Sequence, residues 1–178
     1  MRIFIAVDLD DSVKDYVYEL QRKLRSTNIK INFVAKRNLH LTLKFLGEIK
    51  EQQLVEIKKI LSEVKMKKFT LNINSIGIFP NEYDPKILWI GLEPEDKIKE
   101  LQRLVDESLL GYGKQELKFK SHITIGRIKS IKDKKEFLGS IDINIEKLKS
   151  KVVNFKLYRS ILSKDGPRYE LLETYNLK

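Results

Sequence analysis

The chain has 178 residues, a formal net charge of +10 and no cysteine. Its length fits one domain or two small lobes, and its hydrophobic content of 42% is too high for a disordered chain. The lack of cysteine excludes disulfides, zinc–thiolate sites and thiol catalysis, and makes the cytoplasm the expected compartment. No apolar run approaches the ~20 residues that span a bilayer. The start, MRIFIAVDLDD, has too short an apolar stretch for a signal peptide.

The positive charge favours a polyanionic partner, nucleic acid above all, because Lys and Arg neutralise phosphates and release counterions. A Lys-rich composition that serves solubility or a hot habitat is the alternative. The charge is locally concentrated, since residues 114–135 hold eight basic and two acidic side chains around His122. This local excess is better support for an RNA partner than the total charge.

The first half of the chain alternates between predicted strands and helices. RIFIAVD at 2–8 is rich in β-branched and aromatic residues and predicts a buried strand. Helix caps at 10–12 and apolar residues at helical spacing predict a helix, which an extended stretch joins to a strand at 40–47. The remaining predicted elements of this half are a helix at 54–64 and strands near 68–78 and 86–92.

The second half repeats this order weakly. Its predicted elements are a helix at 98–105, a strand at 119–129, a weaker helical patch at 132–139, and strands at 151–163 and 168–176 joined by a turn at Asp165-Gly166-Pro167. Phe4 lies 36 residues before His40, and Trp89 lies 33 residues before His122. The repeat predicts one α+β domain over 1–178 with two interleaved, pseudo-symmetric lobes. Each lobe is expected to be an antiparallel sheet with outer helices, beside a central cleft that carries the two histidine strands.

The chain's two histidines occur in the same tripeptide pattern, His40-Leu41-Thr42 and His122-Ile123-Thr124. Residues i and i+2 of a strand point to the same side. Each motif therefore presents an imidazole and a hydroxyl to one face, while its apolar neighbours anchor the other face in the core. Strict alternation also puts Lys44 on the His40 face and Phe45 on the core face.

These residue types suit the opening of a cyclic phosphodiester. Two imidazoles with pKa values near ~6.5 can serve as the base that takes a proton from water and the acid that protonates the departing ribose oxygen. Threonine hydroxyls can donate to the phosphate oxygens, and neither a metal nor a cofactor is needed. A metal site would want a third ligand, typically Asp or Glu, and neither motif has an acid at i±2. A purely structural role would not explain two matching motifs in a repeat.

The pair of motifs resembles that of the two-histidine phosphoesterase superfamily, most closely the RNA 2′,3′-cyclic phosphodiesterases first described as 2′-5′ RNA ligases. MRIFIAVDL is similar to that family's first strand, NLHLTLKFLGEI and SHITIGRIK to its two motifs, and GPRYELLETYNL to its last strand. The resemblance covers essentially the whole chain. It implies metal-independent hydrolysis of a terminal RNA 2′,3′-cyclic phosphate to a 2′-phosphate, with reversible 2′-5′ ligation as a related activity of the same site.

The resemblance also implies roles for single residues. His40 and His122 match the catalytic histidines, and Thr42 and Thr124 match the phosphate-binding threonines. Arg127 matches a basic residue that helps bind phosphate. Strict alternation puts Arg127 on the opposite face, although a bulge at Gly126 can return it to the cleft.

Two further residues, Phe45 and Lys44, are candidates for contact with substrate. Phe45 matches a position near the family's nucleotide pocket, although alternation favours the core. Lys44 is a candidate phosphate ligand from its predicted face alone. Tyr169 is similar to a recurrent aromatic of the family and has no role that the sequence assigns.

Two other functions stay open. One is a phosphodiesterase of the same superfamily for 2′-5′ oligoadenylates or other cyclic nucleotides. The other is a non-catalytic RNA-binding module, which the two intact motifs disfavour. The expected partners are RNAs that end in a 2′,3′-cyclic phosphate, tRNA fragments included, and the expected state is a monomer without membrane association.

Overall fold

A computed structural model describes residues 1–25, 28–164 and 166–178. Its elements are, in chain order, β1 (Arg2–Asp8), α1 (Asp11–Lys23), β2 (Ile29–Phe33), β3 (His40–Glu48), α2 (Glu51–Ser62), β4 (Phe69–Phe79), β5 (Ile87–Glu93), α3 (Glu95–Ser108), β6 (His122–Ile131), α4 (Lys134–Ile141), β7 (Lys149–Val152), β8 (Asn154–Ser163) and β9 (Gly166–Asn176). Each predicted helix and strand is present, except that the single strand predicted at 151–163 is two strands, β7 and β8. The extended stretch before β3 contains β2. The predicted turn at 165–167 lies partly outside the described residues, because Asp165 is not among them.

The described strands form one antiparallel sheet in the order β7-β4-β5-β6-β3-β1-β8-β9, with β2 paired to β6. Apart from β2, the order is symmetric about its centre, so that β1, β3, β8 and β9 correspond to β5, β6, β4 and β7. They meet at the centre, where Leu41 of β3 lies opposite Ile123 of β6. The predicted α+β class with two pseudo-symmetric halves is therefore confirmed. The boundary of a single domain over 1–178 remains a prediction, supported by one hydrophobic cluster that draws on both halves.

The core fixes which face of the central strands carries the polar groups. Leu41, Leu43, Ile123 and Ile125 are each at most 2% exposed. Burying one such side chain contributes about 1.5–3 kcal/mol, and a one-residue slip would turn every apolar side chain outward. The positions before and after Leu41 and Ile123 must therefore face the open side of the sheet. Among the described residues, no helix is long and apolar enough to cross a membrane.

Both central strands contain a bulge directly after the histidine motif. In the β1–β3 pair, Ile5 lies opposite Lys44 and Ala6 opposite Thr42, so Leu43 is the extra residue. In the β5–β6 pair, Leu88 lies opposite Gly126 and Trp89 opposite Thr124, so Ile125 is the extra residue. Each bulge shifts the alternation of faces by one position. The prediction of strict alternation beyond the two threonines is therefore wrong.

Candidate active site

The two histidine motifs lie side by side on the open face of the sheet. The pairing of Leu41 with Ile123, carried one residue in each direction, sets His40 opposite Thr124 and Thr42 opposite His122. The two histidines are then diagonal neighbours, whose Cα atoms are typically about 7–8 Å apart. That spacing leaves room for one phosphate group between the imidazoles, with a hydroxyl beside each ring.

Each imidazole is held through the same nitrogen. His40 Nδ1 lies 2.7 Å from the carbonyl oxygen of Asn38, and His122 Nδ1 lies 2.7 Å from that of Lys120. A carbonyl only accepts, so Nδ1 carries the proton in both neutral rings. The proton-transferring nitrogen is therefore Nε2 in both residues, and that of His40 lies 2.9 Å from Thr42 Oγ1.

Burial lowers the pKa of both histidines, and it is the largest cause in each case. For His40 the Asn38 carbonyl and the charge of Asp8 oppose this effect, while the charge of His122 adds a smaller lowering contribution. The two rings are therefore within electrostatic reach of each other.

Aromatic rings support His40 from one side. The ring centroid of Phe4 lies 5.1 Å from that of His40, and Tyr169 meets His40 edge-on at 5.4 Å. Phe4 is buried, as expected for a core strand. Tyr169, to which the sequence assigned no role, therefore forms a wall of the site next to His40.

A matching aromatic wall supports His122. Phe79 meets His122 edge-on at 5.1 Å and stacks on Trp89 at 5.0 Å. The Lys120 amine lies 5.3 Å above the Phe79 ring. Trp89 is half-buried on the cleft side rather than enclosed in the core, and Gly77 makes room for it, because a Cβ there would lie 2.3 Å from the indole. Nothing in the sequence pattern pointed to Phe79.

The bulge at Ile125 puts Arg127 on the cleft face, where its side chain is exposed. Burial raises the pKa of Tyr169, and the charge of Arg127 partly offsets that rise. The guanidinium is therefore within electrostatic reach of the Tyr169 hydroxyl, at the His40 end of the cleft. Gly126 is required by the close approach of β2, since a Cβ there would lie 2.5 Å from Ile31 Cγ2.

The comparison with known families fits this geometry. The model of the family described as LigT like Phosphoesterase matches residues 7–89 and again residues 90–169, one match for each half of the chain. The chain belongs to the LigT-like phosphoesterase family. Each match includes one of the two histidine motifs, so the two family matches coincide with the two halves of the internal repeat.

Relatives cover nearly the full chain. An RNA 2′,3′-cyclic phosphodiesterase of Thermotoga maritima is 37% identical, over 97% of this chain and 93% of that protein. An RNA 2′,3′-cyclic phosphodiesterase of Archaeoglobus fulgidus is 34% identical, over 98% of this chain and 99% of that protein. The crystal structure of the protein TT0787 from Thermus thermophilus superposes with a TM-score of 0.85 at 28% identity, over 99% of this chain and 97% of that one.

Lys44 does not take part in this family site. Its amine is paired with the Asp106 carboxylate of α3 and lies 2.9 Å from the Lys114 carbonyl oxygen, and its side chain is 2% exposed. The prediction that Lys44 shares the His40 face is wrong, because the Leu43 bulge turns Lys44 into the core. The same shift brings Phe45 to the cleft face, where it is 69% exposed and packs on Phe4 at 5.7 Å.

No metal cluster is present in the part of the chain that the structure describes, since no three His, Asp or Glu side chains there are grouped closely enough to bind an ion.

The buried Gln21 of α1 holds the bulge that positions Arg127. Its Nε2 donates to the carbonyl oxygens of Ile125 and Val34, each at 2.9 Å, and the Val34 amide also donates to Ile125 O at 3.0 Å. Gln21 is 2% exposed, so these bonds are shielded from water. The side chain therefore fixes the extra residue of β6 against α1.

Gln21→Leu will lower kcat/KM as well as stability. The variant leaves the carbonyl oxygens of Ile125 and Val34 with one donor fewer each, and a lost partner of this kind costs about 1–3 kcal/mol. It also frees the bulge that sets the direction of Arg127. Gln102→Leu is the matched control, because Gln102 lies in α3 of the other half and its buried Nε2 has no hydrogen-bond partner among the described residues. Urea unfolding and steady-state kinetics of both variants test this. Equal behaviour of the two variants would contradict a positioning role for Gln21.

Proposed function

We propose that this protein hydrolyses the 2′,3′-cyclic phosphate at the end of an RNA to a 2′-phosphate, by acid–base catalysis with His40 and His122. The observation that carries the proposal is the diagonal pair of imidazoles, each held at Nδ1 so that Nε2 is the nitrogen that transfers the proton. The relatives from Thermotoga maritima and Archaeoglobus fulgidus are named RNA 2′,3′-cyclic phosphodiesterases, which supports this proposal.

In the proposed step, water attacks phosphorus while the bond from phosphorus to the ribose 3′-oxygen breaks. His122 Nε2 takes the proton of the water, and His40 gives its Nε2 proton to the departing 3′-oxygen. Thr42, Thr124 and Arg127 stabilise the charge that develops on the other phosphate oxygens. The assignment of His40 as the acid follows the family resemblance. A 5′-hydroxyl in place of water would join RNA ends by a 2′-5′ bond at the same site.

The basic charge supports an RNA substrate, with tRNA fragments among the proposed partners. We also propose that the chain acts as a monomer in the cytoplasm. Within segment 114–135, Lys120 lies over Trp89 and Phe79 beside His122, whereas Lys134 lies over the exposed Tyr83.

A substrate comparison tests the proposed function. The protein is incubated with an RNA oligonucleotide that ends in a 2′,3′-cyclic phosphate and, separately, with a 2′-5′-linked oligoadenylate. We expect hydrolysis of the cyclic phosphate and a much lower rate on the oligoadenylate. The reverse preference would favour the alternative phosphodiesterase activity, and binding of both without turnover would favour a non-catalytic module.

The pH dependence of kcat/KM will be bell-shaped with an optimum below about 6.5. Burial lowers the pKa of both histidines below the usual value of about 6.5. Below the lower pKa both rings are charged and no base remains. Above the higher pKa both are neutral and no acid remains, so the optimum lies between them. Initial rates from about pH 4.5 to 9, with circular dichroism at each pH to detect unfolding, measure this profile. An optimum near pH 8 would contradict it.

A further inference from the structure

A cavity of about 590 Å³ opens beside His40. It lies between the end of β1, the turn before β3 and the β8–β9 hairpin, and Tyr169 separates it from Phe4. Cavities of this size accept nucleotide-sized ligands. Most of the residues that line this cavity have no part in the acid–base chemistry at phosphorus.

Two arginines, Arg37 and Arg168, line this cavity from opposite ends of the sequence. Both side chains are exposed, and neither forms an ion pair with any described residue. Most other arginines of the described chain do, including Arg103 with Glu107 and Arg159 with Glu170. A guanidinium presents a planar fork of donors that fits phosphate oxygens, so the cavity has two such forks available for an anion.

The acid in the same cavity is already neutralised. Asp8 accepts from Lys156 Nζ at 2.6 Å and from the Tyr158 hydroxyl at 3.1 Å, and Lys14 lies 3.9 Å from its other oxygen. Burial would raise the pKa of Asp8, but these lysines and Tyr158 lower it on balance. The carboxylate is therefore matched by nearby cations, and the two arginines leave the cavity with an excess of positive charge.

The direction of the reaction brings RNA into this cavity. In an in-line displacement the attacking water and the leaving 3′-oxygen lie on opposite sides of phosphorus. The ribose carries the leaving oxygen, so the nucleoside must lie on the side of the acid, which is His40 in the proposed function on which this inference rests. The strand that continues from the ribose 5′-oxygen then passes the cavity beside His40.

We propose that Arg37 and Arg168 form a second phosphate subsite, which binds the internucleotide phosphate that joins the terminal nucleoside to the rest of the RNA. This subsite makes the enzyme prefer an RNA end over a cyclic mononucleotide, because only the RNA carries that phosphate. The residues responsible for this preference, Arg37 and Arg168, lie outside the basic segment 114–135.

The test uses three substrates with the same terminal nucleoside 2′,3′-cyclic phosphate. They are the mononucleotide, the dinucleotide, and the dinucleotide whose internucleotide link is an uncharged methylphosphonate. For the wild type we expect kcat/KM on the dinucleotide to exceed that on the mononucleotide by about tenfold to a hundredfold, as for hydrogen bonds to a charged group, and the methylphosphonate to lose most of this preference.

Arg37→Gln and Arg168→Gln will each reduce the ratio of dinucleotide to mononucleotide kcat/KM by about tenfold, and the methylphosphonate substitution will cost each variant correspondingly less than it costs the wild type. Arg103→Gln is the matched control with the same charge change, because Arg103 lies on α3 and pairs with Glu107. It should keep the wild-type ratio.

The inference is overturned if the wild type hydrolyses the charged and uncharged dinucleotides equally well, a result that needs no variant to fold. It is also overturned if the arginine variants keep the wild-type ratio, or if Arg103→Gln lowers the ratio as much as they do. Failure of the proposed function gives a different result, since the wild type would then hydrolyse none of the three substrates.

Discussion

Replacing either His40 or His122 with alanine will lower kcat by about 10²–10⁴-fold, the usual contribution of a positioned acid or base. The fold should survive, because both rings lie on the cleft face and pack mainly against aromatic neighbours. Loss of such an aromatic contact costs about 0.5–1.5 kcal/mol. Steady-state kinetics on a cyclic-phosphate RNA and urea unfolding of each variant provide the measurement.

Thr42→Ala and Thr124→Ala are the graded controls for this experiment. Each removes one hydroxyl from the same face, and a hydrogen bond to a charged group contributes about 1.5–3 kcal/mol. Their activities should therefore lie between those of the wild type and the histidine variants. A histidine variant that keeps near-wild-type turnover, or that unfolds, would show that its ring has a structural role.

A substrate with a leaving group that needs no proton, such as a p-nitrophenyl phosphodiester, separates the two histidine roles. His40→Ala should then retain most of the wild-type rate, whereas His122→Ala should remain severely impaired. If only His122→Ala is rescued, His122 is the acid and His40 is the base. Rescue of neither would mean that one histidine mainly stabilises charge in the transition state.

Asp106→Ala will destabilise the protein by about 3–5 kcal/mol, because it leaves the buried Lys44 ammonium without its carboxylate counter-ion. The carboxylate also accepts from the Glu116 amide at 3.1 Å, and Lys44 holds the Lys114 carbonyl. The pair thus ties β3 and α3 to the segment that leads into His122. We expect lower turnover together with the loss of stability, measured by urea unfolding and kinetics at a temperature where the variant is folded.

Glu107→Gln is the control on the same helix, since it breaks the exposed Arg103–Glu107 pair and should cost less than about 1 kcal/mol. Lys44→Met combined with Asp106→Leu removes both charges and should recover most of the lost stability. A double variant as unstable as Asp106→Ala would contradict the ion-pair explanation and point to simple loss of packing.

The sequence predicts the polar face of the two histidine motifs because burial of alternate apolar residues decides it. Leu41 and Ile123 must enter the core, and His40, Thr42, His122 and Thr124 are thereby set on the other side. The internal repeat then brings the two motifs together. These parts of the site follow from hydrophobic patterning and are found as predicted.

The positions of Lys44, Phe45 and Arg127 could not be predicted in the same way. Each depends on a bulge that adds one residue to a strand, and no hydrophobic period marks where that residue falls. The one local sign of an irregular strand was Lys44, a lysine among apolar residues. Such a side chain needs either solvent or a partner such as Asp106.

The lining of the site depends on contacts between segments far apart in the chain. Tyr169 of β9 contacts His40, Arg168 of β9 lines the cavity beside it, and Phe79 of β4 contacts His122. Such contacts are set by strand order rather than by local pattern, so the sequence alone leaves them open.

The most direct measurement of the proposed activity is hydrolysis of a 2′,3′-cyclic phosphate RNA in excess EDTA, with the product phosphate located by ³¹P NMR. Two histidines acting as acid and base predict full turnover in chelator and a 2′-phosphate as the sole product. Activity that EDTA abolishes and a divalent metal restores, or a 3′-phosphate product, would contradict metal-independent catalysis by His40 and His122.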